Sequence, residues 1–257
     1  MILISAIMKS YRNYRQRLLV GKILRNWNLT YHHRLNTEDC AIIREIFYDK
    51  TYSVFFPFYK KCTIVDIGGH KGFFALYAAN NCAPDSTILC FEPSTSNYRI
   101  LRDNLRHNGI EMVTAVNKAI LSRDGETQLH LYGPANNSVC MQYGNVIDKK
   151  STSSENVQSI TLGGVFETFK IDVIDFLKMD CEGAEYEILF NCDRAVLKRI
   201  KVLSFEFHDL HTADNSGYAI ARYLRKQGFA IVEFSYHKSI SRIHCGHITA
   251  INEFQDD

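Results

Sequence analysis

The sequence lacks both the cysteine spacing of a zinc ribbon and the layout of a secretory signal. Its eight cysteines include no Cys-x-x-Cys pair, the spacing that supplies ligands to structural zinc sites. Cys62 and Cys90 lie in apolar runs, where a free cysteine packs as a small hydrophobic side chain. The apolar opening MILISAIM is too short to span a bilayer, and basic residues follow it instead of preceding it. We therefore expect a cytoplasmic protein with reduced cysteines.

The sequence also lacks a strong overall charge. It has 30 lysines and arginines against 28 aspartates and glutamates, which indicates neither a nucleic acid nor an acidic polymer as partner. Residues 1–37 are the exception, because they contain no acidic residue and these basic ones: Lys9, Arg12, Arg15, Arg17, Lys22, Arg25 and Arg34. The stretch from Met8 to Trp27 fits a basic amphipathic helix. Such a helix either packs on the domain, which we favour, or makes peripheral contact with a membrane.

No internal repeat is present, and 46% of the residues are hydrophobic, which is enough for one large domain with a substantial core. We divide the chain into a basic helical extension, residues 1–50, and a domain, residues 51–257. In the domain, short β-rich runs alternate with helical segments, which predicts an α/β fold with a mostly parallel sheet. A polar stretch near 134–160 interrupts the alternation. So long a connection is usually a functional lid or a disordered insertion.

Two local predictions concern the region before this insertion. Residues 111–121 have the composition of a single strand, the third of the sheet. Asp124 and Gly125 follow this run and precede another β-rich run, a pattern typical of a β-hairpin.

The run VDIGGHKGFF places Asp66, Gly68 and Gly72 at a strand-to-helix turn. Glycine lets the backbone approach a ligand closely, and the first amides of the following helix can bind polar groups of that ligand. The spacing differs from the Gly-x-Gly-x-x-Gly of dinucleotide-binding proteins. The next predicted strand ends at Glu92, where an acidic residue of a doubly wound fold accepts hydrogen bonds from ribose hydroxyls. Together these features favour a nucleoside ligand.

Three segments in this order, VDIGGHKGFF, CFEPSTSNYRILRDNL and DFLKMDCEGAEYEIL, resemble the FkbM-type methyltransferases, which are class I, Rossmann-like and dependent on S-adenosylmethionine. The strongest part is an Asp-x-Glu-Gly-Ala-Glu segment, here Asp180 to Glu185. The resemblance covers roughly residues 62–210. It implies a seven-stranded sheet with helices on both faces, S-adenosylmethionine as cofactor and, most often, methylation of a hydroxyl on a glycan or small molecule. Residues 1–50 and the polar insertion inherit no role from it.

The resemblance implies a set of cofactor-binding residues, which are Asp66, Gly68, Gly69, Gly72, Glu92 and Ala119. Within this set the glycine turn would line the methionine side of the cofactor, Glu92 would hold the ribose, and Ala119 would approach the adenine. We expect a side chain at Gly68 to occupy the space of the methionyl group. A Gly68→Val change should then abolish binding and leave the fold intact.

The catalytic candidates are Asp180, Glu182 and His208. A sulfonium methyl is already an activated electrophile, so the protein has mainly to align donor and acceptor and to accept a proton from the hydroxyl. His208 has an intrinsic pKa of about 6.5 and could be neutral at working pH, so we expect it to act as the general base. Asp180 would orient the acceptor or the cofactor. We expect Glu185 and Glu187 to be solvated or to cap a helix, where the helix dipole favours acids.

The run FEFHDLH leaves three interpretations open. Glu206 and His208 would share one face of a strand, with Asp209 and His211 on the same rim. These residues could form a hydrogen-bonded strand end, a catalytic or acceptor-binding site, or the ligands of a divalent cation, although we assign no metal ligand. Two alternatives to O-methylation also remain. One is transfer to nitrogen or to a carboxyl group, and the other is a catalytically silent cofactor-binding module that anchors a partner or a membrane.

Overall fold

The chain is described by a computed structural model over residues 2–132, 137–140, 143–144, 150–210, 212–238 and 244–253. Its first helices are α1 (Ile2–Asn26), α2 (Thr37–Arg44), α3 (Phe73–Asn81) and α4 (Thr95–His107). A π-helical turn, Glu45–Asp49, continues α2. The later helices are α5 (Leu162–Phe169), α6 (Glu185–Phe190), α7 (Arg194–Leu197) and α8 (Gly217–Lys226).

Two sheets are present in the described residues. The main sheet has seven strands, in the spatial order β10-β11-β9-β8-β1-β2-β3. They are β1 (Thr63–Ile67), β2 (Thr87–Phe91), β3 (Val113–Val116), β8 (Ile174–Met179), β9 (Ile200–His208), β10 (Phe229–Lys238) and β11 (His244–Asn252). Only β11 runs antiparallel to its neighbours, β9 and β10. This mostly parallel seven-stranded sheet confirms the predicted fold class.

The strands of the main sheet bury both faces, because helices cover each of them. Ile64 of β1 and Phe176 of β8 are fully buried on the face that packs against α1 to α4. Their neighbours Val65 and Leu177 are fully buried on the opposite face, against α5 to α8. Nearly continuous apolar runs such as TIVDI are therefore typical of central parallel strands, since neither face of the sheet is exposed to water there.

The described part of the N-terminal segment packs on the same core. Val20 and Ile23 of α1 and Ile43 of α2 are buried in one hydrophobic cluster with the side chains of α3 and β1. Trp27 packs edge-on against Phe47, with 5.1 Å between the ring centroids. None of the described helices combines the length and the apolar content needed to cross a membrane. Peripheral membrane contact through this segment stays a prediction.

A buried ion pair fixes α2 to the glycine turn. Nζ of Lys71 donates to Oδ1 of Asp39, and the two side chains are 9% and 0% exposed. Asp39 also completes the start of α2. Its Oδ2 accepts a hydrogen bond from the amide of Asn36, and its own amide donates to the side chain of Asn36. The position of α2 is thus tied to the loop that precedes α3.

Replacing Asp39 with asparagine is expected to lower the free energy of unfolding by about 3–5 kcal/mol, because Lys71 would be left buried without a counter-charge. Urea denaturation measures this change. The matched control is Asp49→Asn, which removes an exposed pair with Arg44 (3.2 Å) and should cost about 0–1 kcal/mol. Equal effects of the two substitutions would show that the buried pair does not hold α2 in place.

The second, smaller sheet corrects two sequence predictions. Its order is β4-β7-β5-β6, with β4 (Ala119–Ile120), β5 (Gly125–Leu131), β6 (Asn137–Ser138) and β7 (Ser153–Ile160). Residues 111–121 are therefore two short strands in different sheets instead of one strand. The hairpin predicted at Asp124 and Gly125 is also wrong, because β4 and β5 both pair with β7 and not with each other.

The polar insertion near 134–160 includes regular structure where it is described. Strand β7 occupies its second half and pairs with β5 over seven residue positions. Val157 and Ile160 are buried against the main core, whereas the polar residues between Ser153 and Asn156 are largely exposed. A strand with so few apolar residues shows only a weak alternation of apolar and polar residues, which is why the sequence does not reveal it.

Candidate active site

A cavity lies at the carboxyl ends of β1, β2, β8 and β9, the edge where parallel α/β sheets bind ligands. Its wall includes residues of α2 and of the π-helical turn, and Asn137 and Val139 from the polar insertion. Most of the sequence-predicted site residues line it, namely Gly68, Gly69, Glu92, Ala119, Asp180, Glu182 and His208. The topology therefore brings together residues that are as far apart in the chain as Gly68 and His208.

Asp66 and Gly72 differ from the expectation, since they are not among the residues that line the cavity. Asp66 is completely buried. Its Oδ1 lies 3.2 Å from Nζ of Lys178, and its Oδ2 accepts a hydrogen bond from Sγ of Cys90 at 3.3 Å. Gly72 precedes α3 with φ +83°, and a Cβ there would lie 3.1 Å from Cγ of Leu101. Both residues therefore support the glycine turn on the side that faces away from the cavity.

Gly68 is constrained by the protein itself. With φ at +75°, a Cβ on this residue would lie 1.9 Å from the carbonyl oxygen of Asp180, which directly follows the neighbouring strand β8. The carbonyl of Gly68 also accepts a hydrogen bond of 2.9 Å from Nζ of Lys178. The expectation that Gly68→Val leaves the fold intact is therefore wrong. At Gly69, a Cβ would lie 2.2 Å from Sγ of Cys90, so neither glycine has room for a side chain and both line the cavity with backbone alone.

Glu92 is positioned by backbone amides at the end of β2. One carboxylate oxygen accepts from the amide of His70 at 2.7 Å, and the other accepts from the amide of Ser94 at 2.9 Å. Burial raises the pKa of Glu92 to about 8, although the amides of Ser94 and His70 oppose this rise. A carboxylate oxygen has more than one acceptor site, so Glu92 can still accept hydrogen bonds from ligand hydroxyls.

At the other end of the cavity, an imidazole lies among carboxylates. Nδ1 of His208 is 3.3 Å from Oε1 of Glu185. Nε2 is 3.3 Å from Oε2 of Glu182 and 3.6 Å from Oε1 of Glu206. Glu206 and His208 do share one strand face, as the alternation in the sequence predicts. The ring of Tyr143, from the polar insertion, packs edge-on against His208 at 5.4 Å.

The protonation of this cluster overturns the prediction of a neutral imidazole. Burial disfavours the charged form of His208, but the carboxylates of Glu182, Glu185 and Glu206 outweigh burial and raise its pKa well above 6.5. Burial, opposed by His208, raises the pKa of Glu182 to about 7. Burial together with the charge of Asp180 raises the pKa of Glu206 to about 8. The groups poised to accept a proton near neutral pH are therefore carboxylates.

Glu185 has the capping role that is one of the two expected for it, and a further contact that the sequence does not reveal. It caps the turn before α6, since the amides of Cys181 and Gly183 donate to its carboxylate at distances of 3.0–3.2 Å. It is also completely buried against His208 and not solvated. The turn that it holds contains Glu182 with φ +54°, an uncommon conformation for a residue with a side chain. Such strain is concentrated at functional sites.

The cluster also contains a potential cation site. Asp180, Glu182 and His208 offer ligand atoms within 4.8 Å of one another, and carboxylates with an imidazole suit several divalent cations. In the structure, however, both nitrogens of His208 face carboxylates, as expected for an imidazolium. Asp209 accepts a hydrogen bond from the amide of Gly217 at the start of α8. His211 lies outside the described residues.

Comparisons with known proteins agree with this architecture. The family model described as "Methyltransferase FkbM domain" matches residues 66–231. The chain is 28% identical over 167 residues to methyltransferase 1 of Beauveria bassiana, an alignment that covers 59% of this chain and 66% of that protein. It is 29% identical over 195 residues to methyltransferase sdnD of Sordaria araneosa, covering 64% and 73%. The alignment therefore spans just under two thirds of the Beauveria protein.

Among solved structures, the human methyltransferase 10 domain containing protein superposes with a TM-score of 0.51 at 12% identity, covering 95% of this chain and 98% of that one. The METTL16 MTase domain gives a TM-score of 0.55, also at 12% identity, and covers 93% and 80%. At such low identity these likenesses show the Rossmann-like fold alone. The family match covers well over half of the sequence, and on that basis the chain belongs to the FkbM methyltransferase family.

Proposed function

We propose that this protein transfers the methyl group of S-adenosylmethionine to a hydroxyl group of a small-molecule or glycan acceptor. The observation that carries this proposal is that Glu182 and His208 face the same cavity as the glycine turn and Glu92. One cavity thus offers a place for a nucleoside at one end and a proton-accepting cluster at the other.

The residues of the cavity fit this cofactor. Gly68 and Gly69 present bare backbone, and Glu92 offers acceptor sites for ribose hydroxyls. Between Glu92, directly after β2, and Glu206 on β9 lie three strand spacings, or roughly 14 Å. That span accommodates a nucleoside with its amino-acid extension, and carboxylates suit a positively charged sulfonium. When bound, S-adenosylmethionine supplies an activated methyl electrophile.

In the mechanism that we propose, the carboxylate of Glu182 accepts the proton of the acceptor hydroxyl. A pKa of about 7 matches a general base that works near neutral pH. His208, held as an imidazolium by Glu185, keeps Glu182 ionised between turnovers, and Asp180 orients the acceptor. The same negative charges would repel an acceptor carboxylate, which disfavours carboxyl methylation. An amine is the second candidate acceptor, because it too would be attracted by these carboxylates.

Glu92→Ala is expected to weaken S-adenosylmethionine binding by about 1–3 kcal/mol, or roughly 5- to 150-fold in Kd, because the hydrogen bonds between the ribose hydroxyls and the carboxyl group of Glu92 are lost. Isothermal titration calorimetry measures this change. Glu126→Gln is the matched control, since Glu126 is exposed in β5 and bonds only to Gln158 among the described residues. An unchanged Kd for Glu92→Ala, or tight binding of NAD, would contradict the cofactor assignment.

The proposed reaction is tested with a methyl-labelled donor. The protein is incubated with labelled S-adenosylmethionine and panels of sugars, alcohols, amines and carboxylic acids, and S-adenosylhomocysteine is quantified. We expect turnover with a hydroxylated compound and a methyl ether as the product. An N-methyl product would instead favour the amine alternative. Cofactor binding without turnover in any panel would favour the catalytically silent module.

A further inference from the structure

One wall of the cavity comes from residues that precede the family match. That match begins at residue 66, yet Glu38, Ala41 and Ile42 of α2 and Glu45 and Ile46 of the π-helical turn all line the cavity. The family resemblance assigns no role to these positions. This segment therefore lines the cavity without a role implied by the family match.

The π-helical turn holds Glu45 in a fixed place. The hydrogen-bond register widens after Arg44, and such local π-turns are frequent at functional sites. Ile46 and Phe47 are buried in the core directly after Glu45. The ion pair between Asp39 and Lys71 anchors the preceding helix. Glu45 is therefore carried by a rigid element.

The carboxylate of Glu45 has no hydrogen bond and no ion pair within the described part of the chain, although it lines the cavity. Burial raises its pKa to about 7, the charge of Asp180 adds to the rise, and Lys178 opposes it. A carboxylate on the cavity wall without a protein partner is free to accept hydrogen bonds from a ligand that displaces water from the cavity.

The contacts of the adjoining chain place Glu45 at the acceptor end of the cavity. The amide of Thr51 donates to the carbonyl of Glu45 at 3.3 Å. The ring of Tyr52, the next residue, packs edge-on against His247 of β11 at 5.4 Å and lies 5.7 Å from Nζ of Lys178 on β8. Glu92, the expected ribose ligand, follows β2 and is separated from β8 by β1. Glu45 thus belongs with the acid cluster rather than with the nucleoside end.

We propose that Glu45 is an acceptor-binding residue whose carboxylate accepts a hydrogen bond from a second donor group of the acceptor, a hydroxyl or an ammonium. This inference rests on the proposed function. It narrows the acceptor to compounds with at least two such groups, one that loses its proton to Glu182 and one that binds Glu45. Sugars, other polyols and amino alcohols meet this requirement, whereas simple monohydric alcohols do not.

The test compares Glu45→Gln with Asp49→Asn, a control on the same turn whose exposed side chain pairs with Arg44. Binding of S-adenosylmethionine and S-adenosylhomocysteine is measured by calorimetry. Methyl transfer is measured with size-fractionated polar metabolites extracted from cells that express the protein, at increasing concentrations of the accepting fraction. We expect Glu45→Gln to raise the apparent KM for that fraction about tenfold or more, as for a lost hydrogen bond to a charged group. Both cofactor affinities should stay within about threefold.

Three results would overturn the inference. Equal apparent KM values for the Glu45→Gln and Asp49→Asn variants would show that Glu45 does not bind the acceptor. A loss of S-adenosylmethionine affinity in Glu45→Gln as large as the loss of turnover would assign Glu45 to the cofactor instead. Absence of turnover by the unmodified protein with every fraction would contradict the proposed function itself, and the inference with it. The first two results leave the proposed function standing.

Discussion

Replacing His208 with glutamine is expected to lower kcat by about 10²–10⁴-fold at pH 7 and to restore part of the activity at higher pH. The reason is the pairing of His208 with Glu182. The imidazolium opposes the effect of burial on the pKa of Glu182, which is about 7 with His208 present. Without that positive charge the pKa of Glu182 rises further, so the base is protonated at pH 7 and ionises only in more alkaline solution. The measurement is the pH profile of kcat.

Glu182→Gln provides the comparison, because it removes the base itself and should be impaired at every pH. Glu187→Gln, on the exposed side of α6 where Glu187 bonds to Ser122, should behave as the unmodified protein. If His208 were the base, raising the pH would restore nothing to His208→Gln. A pKa of His208 near 6.5 in the folded protein, measured by NMR, would also contradict the proposed pairing.

The raised pKa of His208 also makes the stability of the folded protein depend on pH. Its pKa is higher in the folded chain than the value of about 6.5 expected for the unfolded chain. Its contribution to the free energy of unfolding is therefore complete below about pH 6.5 and is lost as the pH rises through the folded value. The fraction of folded protein must accordingly be measured alongside activity at alkaline pH.

Gly68→Ala is expected to lower the free energy of unfolding by at least about 3 kcal/mol, or to prevent accumulation of folded protein. The added Cβ would meet the carbonyl oxygen of Asp180 at 1.9 Å, and the amide of Asp180 is tied to the carbonyl of Ile67 by a hydrogen bond of 3.0 Å, so this backbone cannot move aside cheaply. The positive φ adds about 1–2 kcal/mol. Urea denaturation and the yield of soluble protein measure the effect.

Gly109→Ala distinguishes the steric clash of the added Cβ from the cost of the positive φ. Gly109 also has a positive φ, +63°, but nothing lies within 4 Å of the Cβ that alanine would add. This substitution should therefore cost only the backbone term of about 1–2 kcal/mol. If Gly68→Ala were as stable as Gly109→Ala and lost only cofactor affinity, the original interpretation would hold, in which a side chain at Gly68 occupies the space of the ligand.

The sequence could predict the residues at the rim of the sheet, because regular alternation fixes where parallel strands end. Glu92, Asp180 and His208 each follow or end an apolar run, and the topology brings those ends to one edge. Asp66 has the same pattern but lies behind the turn. Its position depends on Lys178, a lysine buried in the neighbouring strand, and such a partner is not visible in a linear sequence.

Other site residues could not be predicted for a different reason. Tyr143 lies in a polar stretch without periodicity, and Glu45 lies in the N-terminal segment, so neither is marked by a regular pattern or by the family resemblance. Glu185 looks like an ordinary acid in the first turn of a helix. Only the fold shows that it is buried between His208 and the amides of its own turn. These residues acquire their roles from tertiary contacts.

Strand β11 follows β10 in the chain but lies inside the sheet, between β9 and β10. During synthesis, β9 and β10 therefore have no partner on their facing edges until residues 244–252 have left the ribosome. Pairing of β11 with β9 joins residues about 40 positions apart, such as Cys245 with His208, and such non-local pairing is slow to form. Nascent or truncated chains without β11 carry an open, largely apolar strand edge, which is a site for aggregation and for chaperone binding.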